Sequence, residues 1–246
     1  MTQSDPAFFE VGGRSIAYRL RSGSSPTLVF FPGYASDMDG TKALALDAFA
    51  GERGFALLRL DYSGTGLSGG DFESGTLALW LEESLAAVDA LTQGPLVLVG
   101  SSMGGWIALH VALARAARIA AIVGIAAAPD FTEWGISESS KTRLAAGETL
   151  RGHGDYGARV TTAAFWSSGQ ELRLLDNEMA IDCPVRLIHG EVDPDVPLDI
   201  AFRTMRALRS ADVQIRVIKG GGHRLSEPHE IKAILRTVGE MLETVA

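Results

Sequence analysis

Leu96-Val-Leu-Val-Gly100-Ser101-Ser102-Met103-Gly104-Gly105 runs directly into Trp106-Ile-Ala-Leu-His-Val-Ala-Leu113. The short apolar run before Gly100 suits a strand buried on both faces, and the run after the glycines suits a buried helix. Between them stands G-x-S-x-G. A serine at such a strand-to-helix turn projects its Oγ above the sheet, and bulky side chains at Gly100 and Gly104 would collide with the adjoining strand and helix. Ser102 is therefore the candidate nucleophile. Its place at a helix N-terminus also aims backbone N–H groups and the positive end of the dipole at any developing oxyanion.

Outward from this turn the same alternation repeats. Thr27–Phe31, Phe55–Leu60, Ile119–Ile125, Val185–Ile188 and Val213–Ile218 are further runs of strand length, and Lys42–Gly51, Leu77–Leu91, Met103–Ala116, Leu198–Leu208 and Pro228–Leu242 carry apolar residues at helical spacing. Strand followed by helix predicts an α/β architecture, a mostly parallel sheet with helices on both faces. At the start, Phe8–Val11 and Arg14–Leu20 flank Gly12-Gly13, which predicts an antiparallel hairpin at the sheet edge. Between Pro129 and Asp182 no buried-strand run occurs, and Phe131, Trp134, Phe165 and Trp166 are scattered among glycine, serine and charge. This stretch, about 130–182, predicts a small helical lid inserted over the sheet; the alternative is a pair of surface helices with their aromatics packed beneath. Trp134 and Trp166 are candidates for an apolar substrate-binding pocket, or else the insertion's own core.

Composition bounds the rest. The chain has 246 residues, 46% hydrophobic and 21% charged, with a formal net charge of −8. That suits one globular domain over 1–246 with a core that needs no disulfide. The single cysteine, Cys183, excludes an internal disulfide and, just before Pro184, suits a buried small hydrophobe; a cytoplasmic location is expected. The start Met-Thr-Gln-Ser-Asp-Pro has no basic n-region, and no apolar run approaches the ~18–20 residues of a membrane span, so neither secretion nor stable membrane insertion is expected. An acidic chain without a Lys/Arg run opposes phosphate backbones, which points away from nucleic acid and toward a small-molecule or protein substrate.

A serine nucleophile needs a base and an orienting acid, and both follow in the chain. After Val185–Ile188 comes His189-Gly-Glu-Val-Asp193, and after Val213–Ile218 comes Lys219-Gly-Gly-Gly-His223. Asp193 and His223 thus stand in loops at strand C-terminal ends, His223 as general base then acid and Asp193 as its orienter. Asp195 is the alternative orienter, and Asp199 suits dipole compensation at a helix start. His110, His153, His189 and His229 suit structural or solvated roles. Phe30-Phe-Pro32-Gly33-Tyr34 ends an early strand, so the backbone N–H groups of Tyr34 and Met103 are the candidate oxyanion hole. Gly64-Thr-Gly66-Leu-Ser-Gly69 matches G-x-G-x-x-G but opens no apolar helix, which argues against a dinucleotide. No cofactor is expected, and the scattered histidines offer no metal spacing.

These residues resemble the α/β-hydrolase family, whose Ser, Asp, His order they share. Phe31-Pro-Gly-Tyr-Ala-Ser-Asp-Met-Asp-Gly-Thr-Lys-Ala43, Asp61-Tyr-Ser-Gly-Thr-Gly-Leu-Ser68 and Val99-Gly-Ser-Ser-Met-Gly-Gly-Trp106 are similar to one branch, the mitochondrial abhydrolase-domain palmitoyl-protein thioesterases that also cleave acyl glucuronides. The resemblance implies an eight-stranded sheet, a triad of Ser102, Asp193 and His223, and a serine carboxylesterase or thioesterase acting on a small acyl ester or an acylated protein. Asp130–Asp182 matches that branch poorly, no mitochondrial leader is evident, and Gly222 stands where the relative has an acid. Other chemistry on the same triad, such as C–C bond hydrolysis or perhydrolysis, and a non-catalytic ligand-binding relative remain alternatives.

Overall fold

The structure, a computed structural model, describes residues 4–154 and 157–245. The first three residues of the amino-terminal stretch that lacks a basic n-region lie outside these. In chain order the strands are β1 (Ala7–Val11), β2 (Arg14–Arg21), β3 (Ser24–Phe31), β4 (Phe55–Leu60), β5 (Leu96–Ser101), β6 (Ile119–Ile125), β7 (Leu150–Gly154), β8 (Gly157–Thr161), β9 (Val185–Gly190) and β10 (Val213–Ile218). The helices are α1 (Thr41–Arg53), α2 (Leu77–Leu91), α3 (Met103–Ala114), α4 (Phe131–Trp134), α5 (Glu138–Ala145), α6 (Ala163–Glu171), α7 (Leu198–Ala207) and α8 (Pro228–Val245). Eight strands form one sheet in the order β1-β2-β4-β3-β5-β6-β9-β10. The pairs from β4 to β10 are parallel, while β1 with β2 and β2 with β4 are antiparallel. The expected eight-stranded α/β fold is present.

The continuous apolar strands make two cores at once. In β5, Leu96 and Leu98 face the core shared with α2, α3 and α7, whereas Val97 and Val99 face the core shared with α1 and α8. β3 divides in the same way, Val29 and Phe31 against Leu28 and Phe30. A strand apolar on both faces can sit only in the middle of such a sandwich, so β3, β5 and β6 are central and the chain ends of the sheet fall to the hairpin and to half-buried β10. Among the described residues no helix is long and apolar enough to cross a membrane.

The insertion between β6 and β9 differs from the expected all-helical lid. It holds α4, α5 and α6, but also an antiparallel hairpin of β7 and β8, which is a sheet of its own. Leu150-Arg-Gly-His-Gly and Gly-Ala-Arg-Val-Thr carry too few apolar residues to signal a buried strand, since a two-stranded ribbon has no second sheet face to fill. Both ends of the insertion are fastened by one buried carboxylate. Asp130, in the left-handed region at φ 59°, accepts the N–H groups of Leu174 and Leu175 at 2.8 Å each.

The strand-to-helix turn has no spare room. A Cβ on Gly104 would lie 2.0 Å from the Phe31 carbonyl oxygen, and one on Gly100 would lie 2.3 Å from the Gly104 carbonyl oxygen. Backbone atoms on both sides cannot yield as a side chain could. Gly104→Ala should therefore destabilise the protein by about 1–3 kcal/mol or more, the range for overpacking; urea unfolding at the wild-type midpoint would show that α3 does not press on β3 as described.

Candidate active site

Ser102 is the residue between β5 and α3, with φ 53° and ψ −119°. A serine held there is strained by roughly 1–3 kcal/mol, and the surroundings over-determine it. Its N–H donates to Ile125 O at 2.9 Å, while its carbonyl accepts from Gly105 at 2.9 Å and from Ala128 at 3.0 Å. The turn is thus stitched to β6 and to α3.

Asp193 follows β9 and His223 follows β10, and the parallel pairing of those strands brings the two loops side by side. His223 Nδ1 lies 2.8 Å from Asp193 Oδ2, and His223 Nε2 lies 3.0 Å from Ser102 Oγ. The three side chains form one hydrogen-bonded chain. The Asp193 side chain is fully buried, and its Oδ1 accepts the N–H groups of Asp195 and Val196 at 2.9 Å each. Burial alone would raise its pKa; the His223 hydrogen bond and the N–H groups of Val196 and Asp195 outweigh it and hold the carboxyl below its ordinary value. The alternative orienter, Asp195, is exposed and contributes only its N–H. Although Asp193, Asp195 and His223 cluster within 4.8 Å, Asp193 and His223 are already engaged with one another and with Ser102.

The other histidines take structural places. His189 is buried, with Nε2 donating to Val196 O at 2.8 Å, which fixes the turn carrying Asp193. His110 donates from Nε2 to Leu172 O at 2.8 Å, and burial pushes its pKa down. His229 is exposed at the start of α8, and His153 lies in β7. Burial pushes the Cys183 thiol up to about 11, far from a reactive thiolate.

The loop after β3 passes directly beside the serine. A Cβ on Gly33 would lie 3.3 Å from Ser101 O and 3.4 Å from Ser102 Cβ. Tyr34 comes next, and among the described residues no acceptor takes the N–H of Tyr34 or of Met103. This loop is shaped by Asp61, whose buried carboxylate accepts Met38 N–H at 2.6 Å and Leu67 N–H at 2.8 Å. The same carboxylate explains the glycine motif after β4. A Cβ on Gly66 would lie 2.1 Å from Asp61 Oδ2, so the glycine makes room for an internal anion and opens no nucleotide-binding helix.

Above the loop sits an aromatic cluster that the sequence did not single out. The Tyr34 ring lies 4.9 Å from Phe165, 5.1 Å from Phe72, 5.9 Å from Trp80 and 6.1 Å from Phe131. Its phenol donates to Val160 O in β8, and burial pushes that phenol up to about 12. Arg151 of β7 forms a bidentate pair with Glu73 at 2.6 Å for each contact. The hairpin is therefore moored at two points, to Tyr34 and to Glu73. Trp134 and Trp166 are half-buried, and their indole N–H groups donate to Pro129 O at 2.7 Å and to Thr132 O at 3.2 Å. Nothing local in the sequence separates Phe131 and Phe165, which meet Tyr34, from the two tryptophans, since all four share one segment.

Residues 28–234 match the family model described as Alpha/beta hydrolase family. The chain is 33% identical over 238 residues to the palmitoyl-protein thioesterase ABHD10, mitochondrial, of Homo sapiens, covering 94% of this chain and 78% of that protein. It is 34% identical over 238 residues to the Mus musculus protein of the same name, covering 94% and 80%. The solved structure of alpha/beta hydrolase domain-containing protein 10 from mouse superposes with a TM-score of 0.93 at 30% identity, covering 99% of this chain and all of that one. These relatives correct the expected cytoplasmic location, since they are named as mitochondrial. A lone cysteine argues only for a reducing compartment, and the cytoplasm is not the only such place.

Three outcomes test this geometry. Asp193→Asn should lower kcat on the order of 10³–10⁴-fold by favouring the wrong imidazole tautomer. Because the Asp193 pKa is depressed on folding, its contribution to stability is present above the ordinary carboxylate pKa and is lost as pH falls through the lower folded value; the stability gap between wild type and Asp193→Asn should narrow on acidification. Tyr34→Phe keeps the N–H and removes only the tie to Val160, so kcat should stay within about tenfold of wild type, less than the 10²–10³-fold typical of a lost oxyanion donor.

Proposed function

The chain belongs to the Alpha/beta hydrolase family, and from that premise we propose that it is a serine esterase or thioesterase working through an acyl-enzyme. The observation that carries the reading is the hydrogen-bonded chain Asp193, His223, Ser102, with 2.8 Å and 3.0 Å between successive partners. In the proposed cycle His223 Nε2 takes the Ser102 Oγ proton as Oγ attacks the acyl carbonyl. The tetrahedral oxyanion is held by the N–H groups of Tyr34 and Met103. His223 then gives its proton to the departing thiol or alcohol, leaving the acyl group on Ser102, and the same imidazole activates the water that releases the acid.

The substrate class follows from the relatives' names and from the walls of the site. Relatives named as palmitoyl-protein thioesterases favour a long-chain acyl thioester; beside the oxyanion loop the rings of Phe131 and Phe165 are buried against Tyr34 and Phe72, so an acyl chain entering there has to part them. We read the segment 130–182 as the lid over that surface, moored by Val160 and Arg151. The same relatives make a mitochondrial compartment the location to test.

A fluorophosphonate probe read by intact mass decides the nucleophile. One adduct on wild type and none on Ser102→Ala is the expected result; labelling of both proteins, or turnover retained by Ser102→Ala, would remove Ser102 from the mechanism. Acyl thioesters, aryl esters and acyl glucuronides assayed side by side then separate the leaving groups. A long-chain acyl thioester should be turned over with the highest kcat/KM.

A further inference from the structure

The catalytic histidine is carried by Lys219-Gly-Gly-Gly-His223-Arg224-Leu225, and three consecutive glycines give this loop little stiffness of its own. Its first half is tied to the end of β9. Gly220 N–H donates to Glu191 Oε2 at 2.9 Å, and Gly221 O accepts Val192 N–H at 3.0 Å. A Cβ on Gly190 would lie only 2.3 Å from Gly221 O, so the loop rests directly on the strand. All of these ties come before His223.

Beyond the histidine the loop meets a different element. Lys42, in the first turn of α1, donates from Nζ to the carbonyl oxygen of Arg224 at 2.5 Å. Glu230 of α8 is buried beneath the same loop, with Oε2 accepting Glu227 N–H at 2.8 Å and Oε1 3.1 Å from where a Cβ on Gly221 would stand. The charges that face the Lys42 ammonium are thus the Glu230 carboxylate of α8, which stabilises it, and the Arg224 guanidinium of the loop, which opposes it. A lysine spends several rotatable bonds on such a contact, and here it spends them on the carbonyl next to the histidine.

We propose that Lys42 is a positioning residue for His223, its ammonium clamping the Arg224 carbonyl so that the imidazole stays aligned between Asp193 and Ser102 while it takes and returns a proton. The inference rests on the serine-hydrolase reading above. It follows from the demands of the cycle. The imidazole must reach Ser102 Oγ, the leaving group and a water in turn; after it the loop is anchored by Leu225, buried in the core, and the Lys42 contact fixes the peptide between the two. A displacement of about 1 Å at a reacting group is enough to lower a rate about 10²-fold. Lys42 also lies just after the oxyanion loop, so one helix start supports both the donor side and the proton-transfer side of the site. Burial pushes the Lys42 ammonium down to about 8, Arg224 adding to the fall and Glu230 opposing it, so the clamp is charged at neutral pH and discharges in mild alkali.

The test compares wild type, Lys42→Met, Lys42→Arg and Ser102→Ala on an aryl ester and with the fluorophosphonate probe, across pH. Lys42→Met should lower kcat about 10–100-fold, with KM within about twofold and probe labelling slowed in step. Lys42→Arg, which keeps a permanent charge and a donor, should recover most of the rate. Wild-type kcat should fall as pH rises through about 8, and Lys42→Arg should lack that fall. Unchanged kcat in Lys42→Met, an arginine variant no better than the methionine one, or identical alkaline limbs would each overturn the clamp. If Lys42→Met does not fold, Lys42→Gln, whose shorter side chain does not reach the Arg224 carbonyl, takes its place in the same comparison. A wild type that fails to label at all sinks the serine mechanism and this inference with it, whereas a labelling wild type beside an equally fast Lys42→Met removes only the clamp.

Discussion

A serine at φ 53° has left the regions that its Cβ favours, and Ser102 stays there because the chain on both sides of it is held by backbone hydrogen bonds to β6 and α3. Those bonds in turn require α3 to lie against β3 and β5 at distances that admit no side chain at Gly100 or Gly104. The tight packing of one helix on two strands is what lifts Oγ clear of the sheet. The central position of β5, the two cores and the parallel crossovers all serve to keep that helix start where it is.

Around this turn the protein manages buried charge with backbone N–H groups. Asp61, Asp130 and Asp193 each accept two of them: Asp61 shapes the loop after β3, Asp130 closes the insertion and Asp193 lies against His223. Burial raises the pKa of Asp61 and Asp130 in spite of those bonds, while Asp193, with the imidazole as a further partner, is held low. The difference lies in the partners: beside its two N–H donors Asp193 also meets the His223 ring, a hydrogen bond that Asp61 and Asp130 lack.

The sandwich, and the meeting of Ser102, Asp193 and His223, were legible because each rests on a local pattern. Buried parallel strands must be apolar on both faces, and Ser102, Asp193 and His223 each stand where such a strand ends. The insertion was less legible. Its hairpin has no buried face to impose alternation, and the choice of Phe131 and Phe165 over Trp134 and Trp166 as neighbours of Tyr34 is made by tertiary packing. Lys42 gave no signal for the same reason, since its partner lies 182 residues away. The cytoplasmic expectation failed because composition reports the redox state of a compartment and not its address.

The Asp130 bracket has a consequence for how such a protein can change over evolutionary time. By joining Asp130 to Leu174 and Leu175, it closes a stretch 44 residues long onto itself, so the sheet sees only a short bridge between β6 and β9. Ser102 precedes that bridge, and Asp193 and His223 follow it. Replacement, trimming or growth of the enclosed segment leaves the spacing of the catalytic strands unaltered. The insertion can vary as one module while Ser102, Asp193 and His223 keep their places on the sheet.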